Sequence, residues 1–311
     1  MSYPKVTIVG AGQVGATAAQ LIAMHGIADV VLVDVAEGLP QGKALDMMHM
    51  RSIEEFGPSI TGTNDYAGTA GSDVVVVTAG LPRKPGMTRD DLLAANRAIV
   101  EDVMSSAVSV SPDTVFLLVT NPLDVMTYLA WKTSGLPATR VLGMGGLLDS
   151  ARFAFAVAEK TGAPIEDIEA LVVGAHGDAM VPLPRFTMVG KTALPSLLPA
   201  EDVDALVRRT INGGAEVVGL LKAGSAFYAP GASVARMVFA IVNDTSETLP
   251  ACVYLNSKYG VEDVYMSVPA RLGAKGVVGV EELPLNAEEL AAVQASAATI
   301  SEAIDSLGLR G

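Results

Sequence analysis

Cysteine is nearly missing from this chain of 311 residues. Cys252 stands alone, so neither an intrachain disulfide nor a cysteine-based metal cluster can form. Long apolar runs are missing as well. None reaches the roughly eighteen residues that crossing a bilayer demands, although half the residues are apolar; that content must fill a globular core, and no membrane partner is expected. The run 73–81 reads as a buried strand. Positive charge is scarce, with 21 Lys and Arg against 34 Asp and Glu. The resulting net charge of −13 repels phosphate backbones and argues against nucleic acid as a partner. An acidic protein that handles an anion must gather its positive charge locally, so each arginine is informative. The histidines and carboxylates show no metal-ligand spacing. The first strand pattern begins at Lys5, which leaves no room for a leader, and the cytoplasm is the expected location.

What the chain does have is alternation. Near-continuous apolar stretches at 5–9, 29–35, 73–78 and 114–120 suit parallel strands buried on both faces. Helix-like segments at 15–25, 42–50 and 91–110 separate them. This βαβα order predicts an α/β protein: a Rossmann doubly wound parallel sheet, followed by an α+β substrate-binding, catalytic part. The composition shifts after Gly143-Met144-Gly145-Gly146, which sets the expected domains at 1–145 and 146–311. Near the end, Asn286 and Glu289 form an Asn-x-x-Glu helix start. Leu290, Val293, Ala297, Ile300, Ile304 and Leu307 then recur on one face, as in a helix packed on the body of the protein.

The first strand runs into Gly10-Ala11-Gly12-Gln13-Val14-Gly15 and then a helix. In that setting the pattern is specific. Gly10 permits the tight turn, Gly12 admits a pyrophosphate to the backbone, and Gly15 allows close helix–strand packing. The helix N-terminus offers free N–H groups to the phosphates. Asp34, nineteen residues past Gly15, closes the second strand, where a carboxylate accepts from ribose hydroxyls and repels a 2′-phosphate. NAD is the expected cofactor.

Polar groups of a different kind cluster later. His176 lies in Gly174-Ala175-His176-Gly177-Asp178, and Asp149 and Arg152 share Leu148-Asp149-Ser150-Ala151-Arg152. Arg83 and Arg89 lie in Arg83-Lys84-Pro85-Gly86-Met87-Thr88-Arg89, and Asn121 in Thr120-Asn121-Pro122. With Thr78-Ala79-Gly80, these motifs in this order resemble the lactate/malate dehydrogenase family over nearly the whole chain. The Arg-Lys-Pro-Gly-Met-Thr-Arg loop points to its malate enzymes. Asn64-Asp65-Tyr66 and Val181-Pro182-Leu183-Pro184-Arg185 look like the lactate-dehydrogenase-like bacterial group.

The resemblance implies reversible hydride transfer between NAD and a small 2-hydroxy acid, malate/oxaloacetate. It makes His176 the acid/base, a role that suits the side chain whose ordinary pKa lies near working pH. Asp149 would hold the other ring nitrogen. Arg152 would grip the substrate carboxylate as a fork, although a plain i,i+3 salt bridge to Asp149 is the competing reading. Arg89 would polarise the carbonyl, and Arg83 would bind the distal carboxylate and so set specificity. Asn121 would bond substrate and nicotinamide region, with backbone contacts from Val119 and Thr120. Asn96 matches a cofactor-touching position, against a helix-surface asparagine as the rival reading. The segment from Leu81 to about Leu92 looks like a closing loop. The family also implies a homo-oligomer, tetramer before dimer. The methionine-rich helix at 45–50 reads equally as an interface or as core.

Two other readings stay open. A lactate dehydrogenase, or one for another 2-hydroxy acid, would want a neutral side chain in place of Arg83. A non-catalytic NAD-binding sensor accounts for the glycine turn and Asp34 but not for His176, Asp149 and three arginines.

Overall fold

The structure, a computed structural model, describes residues 3–81 and 89–310. Its first half is built on parallel strands: β1 (Lys5–Val9), β2 (Asp29–Val33), β3 (Ile60–Thr63), β4 (Val74–Val77), β5 (Val115–Leu118) and β6 (Val141–Gly143). They pair in the order β3-β2-β1-β4-β5-β6. Every residue of β4 and β5 is buried, which is why these stretches show no polar alternation. Parallel pairing needs crossovers, and α1 (Gln13–Met24), α2 (Leu39–His49) with the short α3 (Arg51–Glu54), α4 (Arg89–Val110) and α5 (Leu123–Ser134) provide helices for them. The strand order reverses between β1 and β4. Connections therefore leave the carboxyl ends in opposite directions and open a crevice there.

The second half contains α6 (Gly146–Thr161), β7 (Ile168–Glu169), β8 (Val172–Gly174), β9 (Met180–Pro182), β10 (Met188–Val189) and β11 (Thr192–Ala193). It continues with α7 (Ala200–Leu221), α8 (Tyr228–Val242), β12 (Glu247–Leu255), β13 (Val264–Gly273), β14 (Gly276–Val280) and α9 (Ala287–Ser306). Its main strands extend the same sheet. β12 joins β6 antiparallel, with Cys252 opposite Gly143, and the order continues β13-β8-β9 with β14 on the flank of β13. One hydrophobic core thus runs through both halves. A second, smaller core between α6 and α7 contains Phe153, Val157, Val203 and Leu206.

α9 starts with the capping box expected from Asn286 and Glu289, and Val293, Ala297, Ile300 and Ile304 are buried. Of the two readings of the methionine-rich helix, α2 takes the core one. Met47 is in the core and the Met48 sulfur accepts from the Ile60 N–H, whereas Leu45 is the residue that faces outward. Methionine is flexible enough to fill the gap against β3, so these side chains serve packing. Among the described residues, no helix is long and apolar enough to cross a membrane.

Candidate active site

The carboxyl ends of β1, β2, β4 and β5 bring the cofactor candidates to one edge of the sheet. Gly10 follows β1 with φ +106°, and a Cβ there would meet the Ala79 nitrogen at 2.7 Å. A Cβ at Gly15 would lie 2.0 Å from the Gly10 carbonyl oxygen, so the first turn of α1 can sit against β1 only without a side chain. At Gly12 an added Cβ would meet nothing within 4 Å, and this residue caps α1 with no side-chain hydrogen bond. The N-terminus of α1, around Gln13 and Val14, thus faces open space with its backbone N–H groups leading. That is the form of a pyrophosphate cradle. Asp34 stands just past β2, where its Oδ2 accepts from Ala11 N at 2.8 Å and its Oδ1 from Ala36 N at 2.9 Å. The carboxylate is therefore braced beside the glycine turn, as ribose recognition requires.

Past β5, Val119 is half-buried, Thr120 is buried and Asn121 is exposed. Thr120 Oγ1 donates to the Ala79 carbonyl at 2.7 Å, tying the ends of β4 and β5 together. Asn96 is not on the helix surface. It is buried in α4, its Nδ2 donating to the Asn121 and Leu81 carbonyls at 2.7 and 3.3 Å, and its Oδ1 accepting from Leu81 N at 2.8 Å. A buried amide must be satisfied, and here it joins the root of the arginine-bearing loop to Asn121. Arg83 lies outside the described residues, and Arg89 opens α4.

α6 begins directly after β6 and carries Asp149 in its first turn and Arg152 one turn on. The loop after β8 carries His176. Asp149 is buried and serves both neighbours: its Oδ2 lies 2.8 Å from His176 Nδ1 and its Oδ1 3.1 Å from Arg152 Nη1. An ionised carboxylate only accepts, so Nδ1 bears the ring proton and Nε2 is left for chemistry. Burial favours the neutral imidazole. The charge and hydrogen bond of Asp149, joined by the charge of Asp124, outweigh burial and the opposing Arg152, and hold the His176 pKa above its ordinary value. The i,i+3 salt bridge entertained for Arg152 does form, yet it uses one of the five N–H donors of the guanidinium.

Three positions that no motif identifies also shape this site. A Cβ at Gly213 in α7 would press on the Arg152 Cδ at 3.2 Å, so this glycine makes room for the arginine stem. Its signal is a Gly-Gly pair inside a helical pattern. Ser296 of α9 accepts from Ala175 N at 2.8 Å, and Asp124 of α5 accepts from His176 N at 2.8 Å. Both are polar residues buried on otherwise apolar helix faces, which is the signal that could have found them.

Comparison with known proteins places the whole chain in a family. Residues 4–143 match the model of the lactate/malate dehydrogenase NAD binding domain, and residues 147–308 that of the lactate/malate dehydrogenase alpha/beta C-terminal domain. A malate dehydrogenase from Roseiflexus castenholzii is 51% identical over 304 residues, covering 98% of each chain. The solved malate dehydrogenase from Salinibacter ruber superposes with a TM-score of 0.94 at 46% identity, covering 98% of this chain and 97% of that one. A lactate dehydrogenase from Cryptosporidium parvum, complexed with lactic acid and nicotinamide adenine dinucleotide, has the same TM-score at 38% identity over 98% and 99% of the two chains. With matches spanning both halves at this level of identity, the chain belongs to the lactate/malate dehydrogenase family.

Proposed function

We propose that this protein interconverts malate and oxaloacetate with NAD as the hydride carrier. The observation that carries the proposal is the buried Asp149–His176 pair beside Arg152, at the same end of the sheet as the glycine turn. Nicotinamide supplies or accepts the hydride; the protein's task is to bind, orient and move a proton. In reduction, protonated His176 donates from Nε2 to the carbonyl oxygen as negative charge develops there, and Asp149 stabilises the imidazolium beforehand. In oxidation, neutral His176 takes the hydroxyl proton. Arg152 pairs with the carboxylate next to the reacting carbon, and Arg89 polarises the carbonyl. Asn121 aligns substrate and nicotinamide.

Arg83 is proposed to pair with the distal carboxylate of oxaloacetate. A methyl group there would leave a desolvated guanidinium without a partner, at about 3–5 kcal/mol, which disfavours pyruvate. The glycine turn, from Gly10 to Gly15, and Asp34 are assigned to NAD; Val119, Thr120 and Asn121 form the wall next to it. Asn96 is retained as a cofactor-site residue that acts through its hold on Leu81 and Asn121. The division at 145/146, a cytoplasmic location and a homotetramer complete the proposal. Exposed Leu45 on α2 and Leu220 and Tyr228 near α7 and α8 supply apolar surface for subunit contact.

The test is direct. Purified protein with NADH is given oxaloacetate and, separately, pyruvate at equal concentration, and absorbance loss is followed. Fast oxidation with oxaloacetate and little with pyruvate is expected; the reverse preference would make it a lactate enzyme. Sedimentation as a 32.0 kDa species alone would refute the oligomer.

A further inference from the structure

The loop bearing His176 is fixed at two successive backbone nitrogens by side chains from distant parts of the chain. Ala175 N donates to Ser296 Oγ, which in turn donates to the Ala179 carbonyl at 2.6 Å, so α9 closes the loop on itself. His176 N donates to Asp124 Oδ2. The two anchors differ in charge. Serine is neutral and its bonds are satisfied locally. Asp124 brings a carboxylate into a site where it is only 5% exposed, directly behind the imidazole-bearing residue.

Nothing about loop geometry alone calls for a carboxylate there, because a neutral acceptor would hold one N–H as well. Ionised carboxylates are costly to bury and are compensated here by several groups. Asp124 stands in the first turn of α5, where the helix favours negative charge. Its other oxygen, Oδ1, accepts from the thiol of buried Cys252 on β12 at 3.3 Å. The groups that face this centre are Asp149 and Arg152 from α6, Asp124 from α5, Cys252 from β12 and His176 itself.

We propose that Asp124 is a positioning residue for the acid/base: it fixes the His176 backbone and adds a second negative charge, behind Asp149, that favours the imidazolium. This inference rests on the reading of His176 as the acid/base. Asp149 contacts the ring and sets its tautomer, while Asp124 acts through the main chain and through space. Burial raises the Asp124 carboxyl to about 6, with Asp149 adding to the rise and the His176 N–H, His176 charge and Cys252 opposing it. The group is therefore mostly ionised at neutral pH.

Three variants of the full chain test this. Asp124→Asn keeps an acceptor for His176 N but removes the charge, Ser296→Ala removes the neutral anchor, and His176→Asn assigns the signal. The chain has three histidines, so the ring resonance lost in His176→Asn identifies His176, and its titration is followed by NMR without substrate. In Asp124→Asn the ring midpoint is expected to move to lower pH, and the acid limb of malate oxidation to move with it. Ser296→Ala should leave the midpoint in place. An unmoved midpoint in Asp124→Asn, or an equal displacement in Ser296→Ala, overturns the role given to the charge. Full turnover by His176→Asn would instead overturn the acid/base reading, and the ring titration would still report on Asp124.

Discussion

Asp149 Oδ2 lies 2.8 Å from His176 Nδ1, and both partners are largely withdrawn from water, with side-chain exposures of 2% and 15%. On the proposed acid/base reading, the charge of the His176 ring sets the pH dependence of the reaction. A raised His176 pKa means that the protonated ring persists above pH 6.5. Oxaloacetate reduction, which needs the imidazolium, should hold up below the raised value and fall as pH passes through it; malate oxidation should rise over the same window. His176→Asn should lower kcat by about 10²–10⁴-fold while leaving NADH binding intact, as measured by fluorescence titration. A variant that turns over like the parent would sink the assignment.

Asp149→Asn separates orientation from charge. The amide can offer its NH₂ to Nδ1 and so favour the wrong tautomer, and it weakens the bond to Arg152. A kcat loss on the order of 10³-fold is expected, together with a higher KM for oxaloacetate because Arg152 is loosened. Unchanged KM would show that Arg152 is positioned without Asp149.

Arg83→Gln should shift preference from oxaloacetate toward pyruvate. The loss of a desolvated charge pair corresponds to several hundredfold in relative kcat/KM. Steady-state rates with both keto acids measure it. A variant with the original preference would place discrimination elsewhere.

Asp34→Ser removes the charge proposed to exclude a 2′-phosphate. The bonds of a carboxylate to ribose contribute about 1.5–3 kcal/mol, so the ratio of kcat/KM for NADH over NADPH should drop by roughly ten- to a hundredfold. A constant ratio would mean that Asp34 merely braces Ala11.

Asp124 also carries a stability cost. Its folded pKa of about 6 exceeds the ordinary 3.8, so the native state binds this proton more tightly than the unfolded chain does. The cost is absent below the unfolded value, grows as pH rises, and levels off above the folded one, at on the order of 3 kcal/mol. In urea unfolding, the stability of Asp124→Asn relative to the parent should therefore be greater at pH 8 than at pH 4. A pH-independent difference would mean that Asp124 does not titrate in this range.

Much of this was readable along the chain because the physics is local. A strand buried on both faces must be apolar throughout, and a strand–turn–helix that leaves no room for a Cβ at Gly15 must have glycine there. His176, Asp149 and Arg152 likewise announced themselves through short motifs. Other features were not legible, because they join residues far apart in the chain. Nothing near Asn96 in the chain shows that its amide bridges Leu81 and Asn121, and nothing in α2 shows which of its methionines the core covers. Asp124 and Ser296 lie 52 and 121 residues from the backbone groups they hold. The sequence by itself determined the parallel sheet, the glycine turn and the chemical types at the site, since each follows from periodicity or from contacts within a few residues. Only the tertiary structure decided that α5 and α9 both anchor the histidine loop, because a polar side chain becomes a partner only when folding removes water and leaves one distant N–H to bond.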